Sequence, residues 1–377
     1  MEHGLYRWVM VLDQLGFRVF LAGLLSFGVV LGAGPRVIRW LRDKKIGDKA
    51  QFDVAELNAA LASKANTPTM GGVLIAASIL TSTFLFADLT NNYVQYAVVV
   101  LVWLAGVGGA DDWLKLTASS RPGGSRQGLL AWEKLVFQFG IGLLIGYFTF
   151  KAGQSPQGES LAHVLNLPFQ KTYANPSAPP SPHLIYLGMG AYVALMLLMM
   201  TGMSNAVNIT DGMDGLAGGI TAIVSLGLMV LCFVAGHEEW AKYLLVPFVA
   251  TSDELAVVCA ATAGGCLGFL WWNCSPAAVF MGDTGALFLG GLLGYVAVAI
   301  RQEYVLLIMS GVFLAEIGSV TLQVGYFKAT KGKRIFKCAP YHWHLHRSGW
   351  PETKVVARFW IVSVLMVALA IATLKLR

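Results

Sequence analysis

L-I-Y-L-G-M-G-A-Y-V-A-L-M-L-L-M-M-T-G-M, residues 184–203, runs for twenty positions without a charged side chain and passes directly into S-N-A-V-N-I-T-D-G-M-D-G, residues 204–215. A helix needs about 20 mostly apolar residues to cross the hydrocarbon core of a bilayer. The first part therefore reads as a membrane span, and the two aspartates that follow it fall at the membrane's edge. Nine further stretches have the same character: 17–33, 69–87, 93–110, 130–150, 216–235, 255–272, 284–300, 305–325 and 355–374. The expected fold is all-α, a polytopic membrane protein of about ten transmembrane helices forming one domain over residues 1–377. The stretch 305–325 carries Glu316 and Gln323, so part of it is expected to face protein or water rather than lipid.

Composition points the same way. Of 377 residues, 56% are hydrophobic and 13% charged, about half the roughly 25% charge of an ordinary globular domain, and the mean hydropathy is +0.62. A disordered chain, a coiled coil, a disulfide scaffold and a soluble nucleic-acid binder are excluded. The net charge of +6 is read as the lysines and arginines that orient a membrane protein, and no nucleic-acid partner is expected. The five cysteines form no C-x-x-C pair, so neither a disulfide framework nor a zinc site is indicated. The first apolar run reads as a retained span rather than a cleaved signal.

An even number of spans puts both termini on one side. The connections within 36–64, 115–134 and 328–358 hold nineteen Lys and Arg against eight elsewhere. By the positive-inside rule that face is cytoplasmic, both termini lie on the non-cytoplasmic side, and the 151–183 connection lies outside. Asp111, Asp112, Asp211, Asp214 and Asp283 all sit at span ends on the expected cytoplasmic face, together with His342, His344 and His346. Acids at one face, with no internal repeat, argue for chemistry at the membrane surface rather than for an inverted-repeat transporter.

The motifs sharpen this. V-G-G-A-D-D-W-L-K (107–115) closes the third span with two carboxylates, which oppose the helix dipole at a C-terminus. Lys115 and Asp112 are expected on one face of the helix, with Asp111 pointing elsewhere. N-A-V-N-I-T-D-G-M-D-G-L-A-G-G (205–219) places Asn208, Asp211 and Asp214 every three residues, along one side of a helix if it continues. F-M-G-D-T-G (280–285) is a Gly-flanked turn presenting Asp283, a carboxylate free to hold magnesium, which one or two carboxylates plus substrate phosphates typically bind. W-W-N-C-S-P (271–276) offers Asn273 for a base edge, and Phe280 offers a stacking face. S-K-A-N-T-P-T-M-G-G (63–72) offers Lys64 and Thr69 to an anion at a helix start. In A-P-Y-H-W-H-L-H-R-S-G-W-P-E (339–352) the alternating histidines fall on one side of an extended chain. With Lys337 and Arg347 nearby and no cysteine ligands, phosphate binding is preferred there to zinc.

Together these stretches, over about residues 64–362, resemble the polyprenyl-phosphate N-acetylhexosamine-1-phosphate transferases, most closely the phospho-N-acetylmuramoyl-pentapeptide transferase (MraY) family. That resemblance implies ten spans with both termini outside, location in the bacterial cytoplasmic (inner) membrane, and a homodimer. It also implies transfer of phospho-MurNAc-pentapeptide from UDP-MurNAc-pentapeptide to undecaprenyl phosphate. The products are lipid I and UMP, the first membrane step of peptidoglycan synthesis, on which cell-wall biogenesis, cell shape and division depend.

By motif, Asp283 matches the family's Mg²⁺ ligand, Asp111 and Asp112 its catalytic acid pair, and Asp211 its third essential acid. His342 falls in its catalytic histidine run, beside His344 on the substrate side. Asn208, Asp214, Asn273, Phe280 and Gln323 match positions that contact the nucleoside part of the ligand. Lys64, Thr69, Lys115 and Lys134 resemble phosphate-side or supporting residues. The chain departs from the family in three places. Trp343 interrupts the three consecutive histidines, Asn66 replaces a glycine, and the 47–63 segment is unlike the usual short basic linker. The alternative reading is a UDP-GlcNAc:polyprenyl-phosphate GlcNAc-1-phosphate transferase. Direct attack by the lipid phosphate and a covalent phospho-sugar intermediate on an aspartate both fit these residues.

Overall fold

The structure is a computed structural model, and it describes residues 13–44, 67–117, 128–154, 160–175 and 181–374. Among the described residues there are helices and no strands. In chain order they are α1 (Leu15–Asp43), α2 (Gly72–Phe86), α3 (Asn92–Thr117), α4 (Ala131–Ala152), α5 (Met189–Thr210), α6 (Leu216–Gly236) and α7 (Glu238–Leu244). Then follow α8 (Leu255–Asn273), α9 (Asp283–Ala299), α10 (Glu303–Met309), α11 (Gly311–Ala329), α12 (Tyr341–Arg347) and α13 (Glu352–Thr373). Seven helices are long and apolar enough to cross a membrane, or eight if α10 and α11 count as one bent span. The shorter apolar helices α2 and α9 occupy two more of the expected stretches, so about ten passages fit the chain.

Helix α9 is the axis of the fold. Every residue from Thr284 to Ala299 is buried, and the helix runs between α3 and α5. Its 17 residues span about 25 Å at 1.5 Å per residue. Outside it, α4 packs on α5, α8 on α1 and α6, and α13 on α6 and α10. The peripheral helices present apolar side chains outward: Val136, Leu143 and Leu144 on α4, and Ile361, Val364 and Leu365 on α13, are all exposed. A soluble protein avoids so continuous an apolar surface; a lipid-facing helix requires it.

One span departs from expectation. The stretch 305–325 is not a continuous helix but breaks at Ser310, where α10 and α11 meet at 79°. Ser310-Gly311 is a weak point for helix propagation, and Gly311 lies close enough to α13 that a Cβ there would meet Met366 Sδ at 3.0 Å. The break lets α10 lie against α13 and aims α11 toward α12, on the acid-bearing side of the molecule.

Candidate active site

The acids gather where α3 ends and α9 begins. Asp111, Asp112 and Asp283 each offer a carboxylate oxygen, all within 4.8 Å of one another. Two glycines permit this. A Cβ on Gly108 would collide with the backbone of Asp283, and Gly282, at φ 73°, would bring a Cβ to 2.6 Å from Asp112 Oδ2 and 2.8 Å from Thr69 Oγ1. The turn before α9 is clasped to the segment before α2: Phe280 N–H donates to Pro68 O at 2.8 Å, Gly71 N–H to Phe280 O at 2.8 Å, and Gly72 N–H to Met281 O at 2.9 Å. Thr69 is thereby buried beside the acids. Lys64 lies outside the described residues.

Each carboxylate has a different set of partners. Asp112 caps α9 from another helix, accepting from Asp283 N–H (3.2 Å), Thr284 N–H (2.9 Å) and Thr284 Oγ1 (2.6 Å). A carboxylate on the first turn of a helix is favoured by its unpaired N–H groups and dipole, so Asp112 fixes where α9 starts. Asp111 accepts Leu129 N–H at 2.6 Å through Oδ1, while Oδ2 faces Lys115 Nζ and Lys134 Nζ, each at 2.8 Å. The same two ammonium groups stand 3.2 Å and 2.5 Å from Asp283 Oδ2, and Asn208 Nδ2 donates to Asp283 Oδ1 at 2.8 Å. Lys115 thus pairs with Asp111 at i,i+4 rather than with Asp112 as expected, because Asp112 is turned away to hold α9.

Helix α5 stops at Thr210, so Asn208, Asp211 and Asp214 do not share one helix face. Asp211 is the C-cap, its N–H reaching Val207 and Asn208 carbonyls, and Gly215 at φ 78° turns the chain into α6. Desolvation, and then the charges of Asp283 and Asp112, push the Asp211 carboxyl up to about 7. Asp214 ties the turn to its surroundings: its carboxylate accepts Ala277 N–H at 3.1 Å, and its N–H donates to Glu352 Oε1 at 2.8 Å.

Two residues expected at the nucleoside have both ends of their amides engaged within the protein. Buried Asn273 accepts Gly215 N–H at 2.9 Å and donates to Val279 O at 2.8 Å, bracing two site turns against each other. Gln323 accepts Ile335 and Phe336 N–H at 3.1 and 3.0 Å and donates to Phe336 O at 3.2 Å, folding the basic segment after α11. Phe280 keeps part of its ring exposed.

The histidines are not extended. Pro340 is the N-cap of the helical turn α12, and residues two apart on a helix point to different sides. His342 goes inward to Glu316. His344 turns to Tyr341 and Phe336, and its Nδ1 lies 3.2 Å from Lys337 N. His346 Nδ1 lies 2.9 Å from Trp350 O. Three histidines on one side, as for a metal or phosphate, are not formed.

The residues that sequence reasoning missed as site residues are Thr284, Gly282 and Glu316. Thr284 and Gly282 had a signal, since G-D-T-G places a helix start and a positive-φ residue next to Asp283. Glu316 had none beyond being an acid inside a span.

The oxygen-only donor set of Asp111, Asp112 and Asp283 is of the kind that suits Mg²⁺. Asp112 is committed to three hydrogen bonds with the start of α9, so Asp111 and Asp283 would hold the ion, with Lys115 and Lys134 giving up their contacts to the two Oδ2 atoms as it binds. An acid cluster with two ammonium groups is suited to phosphoryl transfer, in which anionic reactants must be positioned and their developing charge offset.

Comparison with known proteins identifies the scaffold. Residues 94–301, more than half of the chain, match glycosyl transferase family 4. Residues 64–75, which include the segment clasped to the turn before α9, match the phospho-N-acetylmuramoyl-pentapeptide-transferase signature 1. The chain belongs to glycosyl transferase family 4 and is a phosphoglycosyl transferase bearing the signature of the phospho-N-acetylmuramoyl-pentapeptide transferases.

Proposed function

We propose that the protein transfers phospho-MurNAc-pentapeptide from UDP-MurNAc-pentapeptide to undecaprenyl phosphate, forming lipid I and UMP, in a Mg²⁺-dependent reaction. The observation that carries this reading is the convergence of Asp111, Asp283, Lys115 and Lys134 against the segment that bears the signature. Asp283 and Asp111 would hold the magnesium ion, which neutralises charge on the diphosphate when bound. Lys115 and Lys134 then face the phosphates of donor and acceptor. Asp112 keeps α9, and with it Asp283, in position. Asp211, whose carboxyl is pushed up by desolvation and by the charges of Asp283 and Asp112, serves as the third acid.

The site is assigned to the cytoplasmic face of the bacterial inner membrane, in a homodimer. The excess of lysine and arginine around it supports that orientation. Purified protein in detergent should form lipid product from undecaprenyl phosphate and UDP-MurNAc-pentapeptide, lose activity in EDTA and regain it with Mg²⁺. Comparable or faster UMP release from UDP-GlcNAc would instead make it a GlcNAc-1-phosphate transferase. Orientation is tested by single cysteines at Ser348 and Ser177 in a background lacking Cys274 and Cys338, neither of which is buried. Labelling of Ser348→Cys from outside intact cells would reverse the topology.

A further inference from the structure

His342 and Glu316 form the most completely buried pair of ionisable side chains on the active-site side of the molecule, both at 0% exposure. Glu316 lies in the second turn of α11 and His342 is the second residue of α12, 26 positions away. The glutamate takes hold of the histidine at two points: its carboxylate receives the His342 backbone N–H at 3.1 Å, and His342 Nδ1 lies 2.9 Å from Oε2. A carboxylate accepts hydrogen bonds, so Nδ1 is the ring nitrogen that donates to Glu316 and Nε2 is the one turned away from the pair.

Nε2 is buried and has no hydrogen-bond partner within the protein. It abuts Gly212, where a Cβ would collide with it, and the indole nitrogen of Trp343 stands 3.3 Å from the same point. Gly212 sits between Asp211 and Asp214, so the unpartnered nitrogen is aimed at the turn that delivers the third acid. A buried polar atom without a partner is destabilising, a cost that a purely structural histidine would not need to incur. Glu316 would tie α11 to α12 equally well through the backbone N–H alone.

We propose that Glu316 is a positioning residue that locks His342 in the Nδ1–H tautomer, so that Nε2 stands as a proton acceptor beside the Asp211–Asp214 turn. The proposal deepens the transferase reading and rests on it for the link to turnover. Glu316 itself touches no substrate; it acts through the ring. Trp343 replaces the middle histidine of the run without disturbing this pair, because the backbone N–H and the ring that Glu316 holds both belong to His342.

The test uses full-length protein, ¹⁵N-labelled at histidine, with Mg²⁺ present. The imidazole resonances that vanish in His342→Asn should show a protonated Nδ1 and a bare Nε2 in the wild type, and Glu316→Gln should lose that pattern. With the muramoyl-pentapeptide donor, kcat should fall about 10–100-fold in Glu316→Gln, the range seen when the partner orienting a functional histidine is removed. KM for the donor should change by less than about threefold. His342→Asn keeps a donor for Glu316 but removes Nε2 and should fall at least as far. The double variant should be no worse than His342→Asn alone, because both changes act through one nitrogen.

A wild-type ring protonated at Nε2 would overturn the proposal without needing any variant at Glu316 to fold. So would a Glu316→Gln protein that turns over like the wild type, or a double variant whose losses multiply. Failure of the wild type to use the donor would refute the transferase reading and leave the tautomer measurement standing.

Discussion

The two ends of α9 bury charge in opposite ways. At its C-terminal end Arg301 is fully buried: its guanidinium pairs with Glu303 at 2.8 Å, donates to Val164 O at 2.8 Å and lies over the Tyr192 ring at 4.9 Å. Asn166 closes the same corner by donating to Arg301 O at 2.9 Å and Gln302 Oε1 at 3.1 Å. One cation meets one anion, and both are sealed. At the N-terminal end two ammonium groups, both partly exposed, are shared between Asp111 and Asp283, while Asp112 and Asp211 stand nearby without a lysine of their own. The first arrangement balances its charges one to one and shuts them away from solvent. The second carries more negative charge than its lysines offset, and a cation together with an anionic substrate would complete it.

The contrast is broken most directly at Asp283. Asp283→Asn keeps the shape but removes the charge facing Lys115 and Lys134, and lipid-product formation should fall by at least about 10²–10³-fold, the effect of deleting one key electrostatic group. Asp88→Asn is the matched control from the far end. Asp88 is exposed, and its carboxylate accepts from Thr90 N–H and Oγ1 at 2.9 and 2.7 Å, so removing its charge should leave turnover near the wild-type rate. Product formation against magnesium concentration for both variants decides the matter. An Asp283→Asn enzyme with wild-type turnover and magnesium dependence would move the metal elsewhere.

At the sealed end the damage should fall on stability instead. Arg301→Met leaves Glu303 buried without its partner, a change that typically costs about 3–5 kcal/mol. The thermal transition in detergent should drop steeply, while the fraction that remains folded turns over normally. A normal transition would show that the far end is less tightly closed than its geometry.

Asn273 sharpens the boundary between the two kinds of residue. If it braces the Gly215 and Val279 turns, Asn273→Ala loses two buried hydrogen bonds and about 1–3 kcal/mol of stability, with KM for the nucleotide nearly unchanged. A large rise in KM without a stability loss would return Asn273 to the base edge where its motif placed it.

These residues also mark what could be read from the chain. The apolar stretches and the acids at their ends were legible, because bilayer thickness sets helix length and a carboxylate cannot stay in lipid. Which acid does what was not. Asp111 and Asp112 are adjacent in sequence, yet one serves the lysines and the other caps a helix 171 residues later, a division set by how α3 crosses α9. The break at Ser310 was hidden because α10 and α11 are apolar together. Alternation suggested an extended histidine run, but a proline start and aromatic neighbours made it helical. The pairing of Glu316 with His342 depends on that break and that turn at once, so no local pattern announces it.

The smallest expected effect is the most instructive about the sealed end. If the Arg301–Glu303 pair serves only to satisfy itself, then removing both charges should be far gentler than removing one. Replacing a buried ion pair by apolar residues of similar volume is often neutral or even stabilising, because the desolvation cost of both ions disappears with their attraction. Arg301→Met with Glu303→Leu should therefore recover most of the stability lost in Arg301→Met, to within about 1 kcal/mol of the wild type. Turnover should be unchanged. The equivalent exchange at the other end, Lys134→Met with Asp283→Leu, should fold and yet be inactive, since there the charges face a ligand rather than each other. Measuring thermal transitions and lipid-product formation for both double variants separates the two cases. A sealed-end double variant that is stable but slow would show that charge at the far end of α9 reaches the site along the helix, and the division between the two ends would fail.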